Sequence, residues 1–298
     1  MKEHTLNEIL DVLRISLEQD DLENAINIIE ALRPADQADL VAELEATDQV
    51  ALLTSLSPTD SADVLEEMDD EDAAELAGML SPVQLADILD EMESDEAADV
   101  LGDLPAPVVT EALREMDEPE EIIPLLRYPD DTAGGLMTRV VITLHPDWTS
   151  DQALAELRRI GPRSDSTYYL FVTAQDDRLL GVVGLRDLVS APAETHIADL
   201  MTTNVVSVQV TTDQEACARI LSHYGYLALP VVDEIGRFLG VITADDLIEV
   251  AENEATEDMY RMVGITGEEQ VLSPTGISVV RRLPWLMINM LTLSLIHI

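Results

Sequence analysis

The sequence predicts an α plus α/β multidomain protein. A short-helix α-solenoid, right- or left-handed, leads into a duplicated α/β module, a connecting helix and a truncated transmembrane helix. Three observations predict this: apolar residues recur every 12 positions over residues 39–116, an α/β pattern occurs twice between residues 136 and 253, and residues 283–298 are almost wholly apolar.

The 298 residues include 60 acidic and 16 basic side chains, for a net charge of −44. At about 100–200 residues per domain this is roughly two domains with additions. Hydrophobic residues make up 47 % and aromatic ones 3 %, so the cores rest on Leu, Val, Ile, Ala and Met. Such acidity argues against nucleic acid, which needs a basic stripe, and against anionic lipid surfaces. It favours cations. Cys217 is the single cysteine, which excludes an intrachain disulfide and a thiolate zinc site and fits a reducing cytosol. Met1-Lys2-Glu3-His4 opens no apolar run, so no secretory signal is expected. The five histidines are scattered and no Ser/His/Asp, Cys/His or glycine-rich phosphate motif occurs, so an enzyme is not expected.

Residues 1–130 hold 37 acidic and 5 basic side chains, net −32. One apolar column reads Leu44, Leu56, Met68, Leu80, Met92, Leu104, Met116; four residues earlier stand Leu40, Leu52, Val64, Leu76, Ile88, Val100 and Ala112. A four-residue offset puts both columns on one helix face. Pro34, Pro58 and Pro82 lie 24 apart, at helix starts where a missing N–H costs nothing. A 12-residue unit allows about two and a half turns, too short to stand alone, so the units must stack. The many carboxylates are either a solvated face or ligands shared with a neighbouring domain. Periodicity does not decide between them. The turn-rich run Tyr128–Gly135 reads as a linker to a unit spanning 131–250.

In that unit Leu136-Met137-Thr138 recurs as Leu200-Met201-Thr202, and Gly181–Leu188 recurs as Gly240–Leu247. Each copy (about 136–195 and 200–250) predicts a short strand (140–144; 205–210), a helix (150–160; 213–224), two hairpin strands (168–173 and 179–184; 228–232 and 238–243) and a closing helix. The order resembles a tandem CBS pair, a regulatory module that often binds adenine nucleotides. That resemblance implies a nucleotide (ATP) site at Tyr169, Arg186, Asp187, Tyr226, Thr243 and Asp246. Thr243 would meet phosphate and Asp246 ribose; the first copy has Gly184 in place of the hydroxyl. The plainer reading of Asp187 and Asp246 is helix capping.

Residues 245–270 predict a connecting helix rich in carboxylates, with Asp246 and Glu249 at i, i+3 and Glu254, Glu257 and Asp258 on one side. Oxygen ligands without His or Cys suit a hard ion, Mg²⁺ above Ca²⁺, since no EF-hand spacing occurs. Arg281-Arg282 before Leu283–Ile298 place the preceding domains on the cytosolic side, if this apolar run starts a membrane span.

Taken together, this order is similar to that of the MgtE-type magnesium transporters and channels, through Tyr128–Thr138, Leu229–Asp233 and Asp245–Asp258. The resemblance implies a homodimer in a bacterial inner membrane, residues 1–280 cytoplasmic, whose cytosolic domains sense Mg²⁺ and whose connecting helix plugs the pore. Carried over, the Mg²⁺ ligands are Asp63, Asp95 and Asp99 in the solenoid and Asp213 and Glu215 in the second copy. Asp246, Glu249, Glu254, Glu257 and Asp258 follow on the connecting segment. Two positions depart from the pattern: Gly225 replaces an expected acidic ligand, and Asp63 is shorter than the expected Glu. Alternatives at this point are a free-standing CBS nucleotide sensor and an acidic scaffold protein.

Overall fold

The computed structural model describes residues 3–19, 21–139, 141–160, 169–248, 250–251, 287 and 290. The expected ligands Glu249, Glu254, Glu257 and Asp258, most of the expected connecting helix and nearly all of the apolar segment 283–298 lie outside the described residues. Among the described residues no helix is long and apolar enough to cross a membrane.

The first third is helical: α1 Glu3–Glu18, α2 Leu22–Glu30, α3 Pro34–Ala42, α4 Ala46–Leu53, α5 Pro58–Glu66, α6 Asp70–Ala77, α7 Pro82–Leu89, α8 Ser94–Gly102, α9 Ala106–Glu115 and α10 Pro119–Ile122. From α3 to α9 each helix starts 12 residues after the last, as the repeat predicts. Local chemistry sets the starts. Pro34, Pro58 and Pro82 occupy the first helical turn. Ser57 accepts the Asp60 N–H at 3.2 Å, and Ser81 forms a capping box with Gln84. Both apolar columns are buried, no member more than 8 % exposed. Helices two apart pack together (α3 on α5, α5 on α7, α7 on α9; α2 on α4, α4 on α6, α6 on α8), giving two rows with the apolar seam between them. Stacking supplies the burial that a two-turn helix lacks alone.

The repeats follow. The first holds β1 Thr143–Leu144, α11 Ser150–Ile160, β2 Tyr169–Thr173, β3 Leu179–Gly184 and α12 Leu185–Ser190. After α13 Ile197–Leu200, the second holds β4 Val208–Gln209, α14 Gln214–Tyr224, β5 Ala228–Val232, β6 Phe238–Thr243 and a closing helix that starts at residue 244. Each sheet pairs a parallel strand with an antiparallel hairpin, in the orders β1-β2-β3 and β4-β5-β6. Strands β1 and β4 are shorter than the apolar runs suggest, because only two residues of each pair with the neighbouring strand.

The Leu-Met-Thr segments cross over. Thr138 pairs with Val241 of the second copy, and Thr202 with Val182 of the first. Both crossings need a glycine opposite: a Cβ at Gly240 would lie 2.5 Å from the Thr138 carbonyl oxygen, and one at Gly181 2.9 Å from that of Thr202. Gly240→Ala is therefore expected to cost about 1–3 kcal/mol through overpacking. Gly102→Ala, at the end of α8 with no atom within 4 Å of the new methyl, should be neutral or gain up to ~1 kcal/mol from helix propensity. Urea unfolding of the two variants distinguishes these outcomes.

One hydrophobic cluster runs from Leu10 through the solenoid into the second copy, taking in Val208, Cys217, Leu229, Val231, Ile242 and Leu247. The first copy has a cluster of its own around Leu144, Leu170, Val183 and Ile197. The solenoid is thus packed onto the second copy. The linker joins them: Ala133 N–H donates to the Thr212 carbonyl at 2.7 Å, and Gln214 N–H to the Asp131 carbonyl at 2.9 Å.

Candidate metal centre

At the start of α8, acidic side chains of the solenoid lie within range of the charge of Asp246, on the closing helix of the second copy. Asp95 lies in the first turn of α8 and is 5 % exposed. Its Oδ1 is buried with no hydrogen-bond partner among the described residues. Burial first, then the charges of Asp246, Glu96 and Glu93, pushes its carboxyl well above the ordinary range. Glu96 is pushed up to about 9 by burial and by Asp99, Asp246, Glu66 and Asp70. Across the boundary Asp246 is also raised by burial, although two hydrogen bonds from Thr243 oppose the shift. Those bonds run from the Thr243 N–H at 2.9 Å and its hydroxyl at 2.5 Å, both to Oδ2.

The solenoid adds further raised carboxyls at Glu66 and Asp70. Glu66 accepts the Glu93 N–H at 2.6 Å, yet burial leaves its carboxyl raised. Asp70 is raised by burial and by Asp103, Asp69 and Asp130. A buried carboxylate without a partner is costly unless it is protonated or meets a cation. The donor set is all oxygen, which fits a hard divalent ion. Among the described residues no three carboxylates, histidines or cysteines form a ready-made cage. Mg²⁺ needs few direct protein ligands because it keeps several waters.

Of the sequence-predicted ligands, the charge of Asp246 bears on Asp95, and those of Asp99 and Asp246 bear on Glu96 beside it. Asp63, half-buried on α5, is raised by burial and by Asp60, and its charge bears on Glu66. Asp213 and Glu215 are otherwise engaged: Asp213 caps α14 through the Glu215 N–H at 3.1 Å, and Glu215 pairs with Arg219 at 3.0 Å. Gly225 closes α14 in the left-handed conformation, φ 66°, which favours glycine over an acidic side chain.

Sequence reasoning missed Glu96, Glu66, Asp70 and Glu93. Asp95 and Glu96 are adjacent first-turn acids, a pattern that ordinarily serves only the helix dipole. What the repeat did offer is that, among the units at Ala46, Asp70 and Ser94, only the helix at Ser94 opens on an uncharged polar residue followed directly by two acids.

The nucleotide set lies at the ends of the hairpin strands. Tyr169 pairs with Gly184 and packs into a cluster with Phe171, Ala228 and Val241, so β2 of one copy meets β5 and β6 of the other. Arg186 and Asp187 are exposed on α12. Tyr226 stacks on Tyr224 with ring centroids 5.3 Å apart. Asp246 also performs the capping role, three residues into the helix that Thr243 begins; α12 has no side-chain cap hydrogen bond at Gly184.

Comparison with known proteins agrees with this architecture. Residues 32–131 match the MgtE intracellular N domain, and residues 133–194 and 197–253 match the CBS domain. The chain is 40 % identical over 174 residues to the magnesium transporter MgtE of Thermus thermophilus, covering 58 % of this chain and 39 % of that protein. It is 37 % identical over 183 residues to that of Enterococcus faecalis, covering 60 % and 40 %. The chain therefore spans about two fifths of the length of these curated relatives, which are named as transporters and not enzymes. Among solved structures, the soluble part of a magnesium transporter matches with a TM-score of 0.76 at 31 % identity, covering 84 % of this chain and 99 % of that one. The cytosolic domain of the Mg²⁺ channel MgtE in complex with ATP matches with a TM-score of 0.75 at 35 % identity, covering 81 % and 99 %. With the helical N domain and the CBS pair both matched, and solved cytosolic domains of the family covered to 99 %, the chain belongs to the MgtE family.

Proposed function

We propose that this chain is the Mg²⁺-sensing cytosolic region of a magnesium transporter or channel, which closes the pore when intracellular Mg²⁺ is high. The observation that carries this reading is the buried Oδ1 of Asp95, which has no hydrogen-bond partner among the described residues, in a carboxyl on which the charge of Asp246 from the other domain bears. Asp95, Glu96 and Asp99 would hold a hydrated Mg²⁺ together with Asp246. Two positive charges there offset repulsion that exists only when the domains are docked. Differential binding of that kind is what shifts a two-state equilibrium. Asp63, Asp213 and Glu215 belong to further weak sites in this reading, as do Glu249, Glu254, Glu257 and Asp258. Several such sites acting together steepen the response.

The reading divides the chain into an N domain over 1–130, a CBS pair over 131–250, a plug helix over 245–270 and membrane entry at 283–298. It places residues 1–280 in the cytoplasm beneath the inner membrane. Adenine nucleotide, ATP, is the second ligand, at Tyr169, Arg186, Asp187, Tyr226, Thr243 and Asp246; support comes from the similar channel domain solved with ATP. Pairing with a second copy is supported by apolar side chains exposed at equivalent places in the two repeats. Val189 and Ile248 are 62 % and 61 % exposed, and Ile160 and Tyr224 end α11 and α14 at 42 % and 53 %. Exposed apolar side chains recurring in both repeats suit an isologous dimer.

Small-angle scattering and limited proteolysis of the purified chain test the proposal. Millimolar Mg²⁺ should compact it and protect the Tyr128–Gly135 linker and the adjoining Leu136–Thr138, and EDTA should reverse both. Equal compaction and protection in EDTA and in Mg²⁺ would leave a nucleotide sensor or an inert scaffold.

A further inference from the structure

The carboxylate site sits beside a buried contact that carries no charge. Ser94 is 3 % exposed and Thr138 1 %. Ser94 Oγ accepts the Arg139 N–H at 2.8 Å and shares a hydrogen bond with Thr138 Oγ1 at 3.3 Å. The same Thr138 exchanges both backbone hydrogen bonds with Val241, at 2.9 and 3.0 Å. A continuous connection therefore runs from α8 through residues 138–139 to β6, which leads by way of Thr243 to Asp246. Ser94 immediately precedes Asp95.

Two comparisons within the chain single out this contact. Ser94 is the first residue of α8, whose N-cap is Glu93. Capping is the work of the preceding position, so helix formation does not call for a serine at 94. Thr202, the counterpart of Thr138 in the second Leu-Met-Thr segment, makes the matching backbone pair with Val182 but is exposed. The duplicated motif has been put to separate use where the solenoid docks.

We propose that Ser94 is a positioning residue of the inter-domain cation site: its hydrogen bonds to Thr138 and Arg139 fix α8 on the second repeat so that Asp95 stands against Asp246. This rests on the Mg²⁺-sensing reading and names the contact that sets its response. Ser94 touches no ion. It raises the population of the docked state in which the carboxylates are close, and a larger competent fraction means a tighter apparent affinity.

Hydrogen exchange of the linker in the purified chain, followed through a Mg²⁺ titration, tests this. Ser94→Ala leaves the Thr138 hydroxyl and the Arg139 N–H without their buried partner, and the Mg²⁺ midpoint of protection should rise about tenfold. Thr138→Val should do much the same, and the double variant should add little to either, because the two hydroxyls act as one contact. Ser61→Ala is the control for a merely structural role. That serine is 1 % exposed and its hydroxyl donates to the Leu53 carbonyl at 2.8 Å, within the solenoid. It should lower the urea midpoint and leave the Mg²⁺ midpoint in place. If the unaltered chain responds to Mg²⁺ while Ser94→Ala keeps the same midpoint, or Ser61→Ala shifts it equally, the inference fails alone. If the unaltered chain shows no response to Mg²⁺, the sensing reading falls and takes this inference with it.

Discussion

Asp95→Asn should weaken the response of solenoid docking to Mg²⁺ and, in EDTA, make docking more stable than in the unaltered chain. Asp95 is 5 % exposed, one of its carboxyl oxygens has no hydrogen-bond partner among the described residues, and the neighbouring acids Asp246, Glu96 and Glu93 make a charge there still less favourable. The amide keeps the shape, removes the charge and brings two donors to a site surrounded by acceptors. Relief of a buried unsatisfied group is worth about 1–3 kcal/mol, and removing like-charge repulsion adds to it. Thermal unfolding in EDTA should therefore move upward. With Mg²⁺ the order reverses, because the unaltered chain gains from the ion and the variant has lost its central oxygen ligand. Two melting curves for each protein, one in EDTA and one in millimolar Mg²⁺, decide the matter. A variant less stable than the unaltered chain in EDTA would mean that Asp95 has a structural partner, and the cation reading of the site would fail.

The elements of the solenoid were legible because their causes are local. A prolyl or serine start, an apolar pair four residues apart and a 12-residue period are all satisfied within one unit and its neighbours, and the helix starts agree with them residue for residue from Pro34 to Ala106. The hairpin strands of both repeats were legible for the same reason: β5 and β6 are apolar runs joined by a turn in which Asp233 accepts the N–H groups of Ile235 and Arg237. The crossing of Thr138 to Val241 was not. Nothing in the segment around Thr138 distinguishes pairing with its own copy from pairing with the other; closure of the whole pair decides it, and the glycine at 240 is a trace of that decision on the far strand.

The candidate site was legible in part. Asp95, Asp99 and Asp246 were reached through family resemblance, whereas Glu96 escaped notice because an acid in the first turn of a helix already has an ordinary explanation in the helix dipole. Its distinction comes from burial and from the charges of Asp246, Glu66 and Asp70, which lie far from it in sequence. The same burial separates the carboxylates that matter from the many that do not. Asp39, Glu75 and Glu111 occupy the periodic column that also holds Asp63 and Asp99, yet all three are exposed. Net charge identified the class of partner, and packing selected the residues.

Protonation gives the second large effect, and its sign is opposite with and without the ion. A carboxyl whose docked pKa lies above its free value binds a proton more tightly when docked, so it favours docking at low pH and loses that contribution as pH rises. For Glu96 the window runs from the ordinary 4.5 to about 9, with Asp95 and Asp246 raised alongside it. In EDTA, linker protection and thermal stability should therefore fall steadily from pH 5 to pH 9. Mg²⁺ competes with those protons, since it requires carboxylates. Near pH 7 its binding should release about one proton from Glu96, and the apparent affinity should rise up to tenfold per pH unit. Calorimetric titration in two buffers of different ionisation enthalpy counts the protons. Glu96→Gln should reduce the count by about one and flatten the dependence on pH in EDTA, because the amide cannot titrate. Mg²⁺ binding that releases no protons near neutral pH would show that these carboxyls are already ionised in the docked state, and burial would then have to be balanced by something other than protonation.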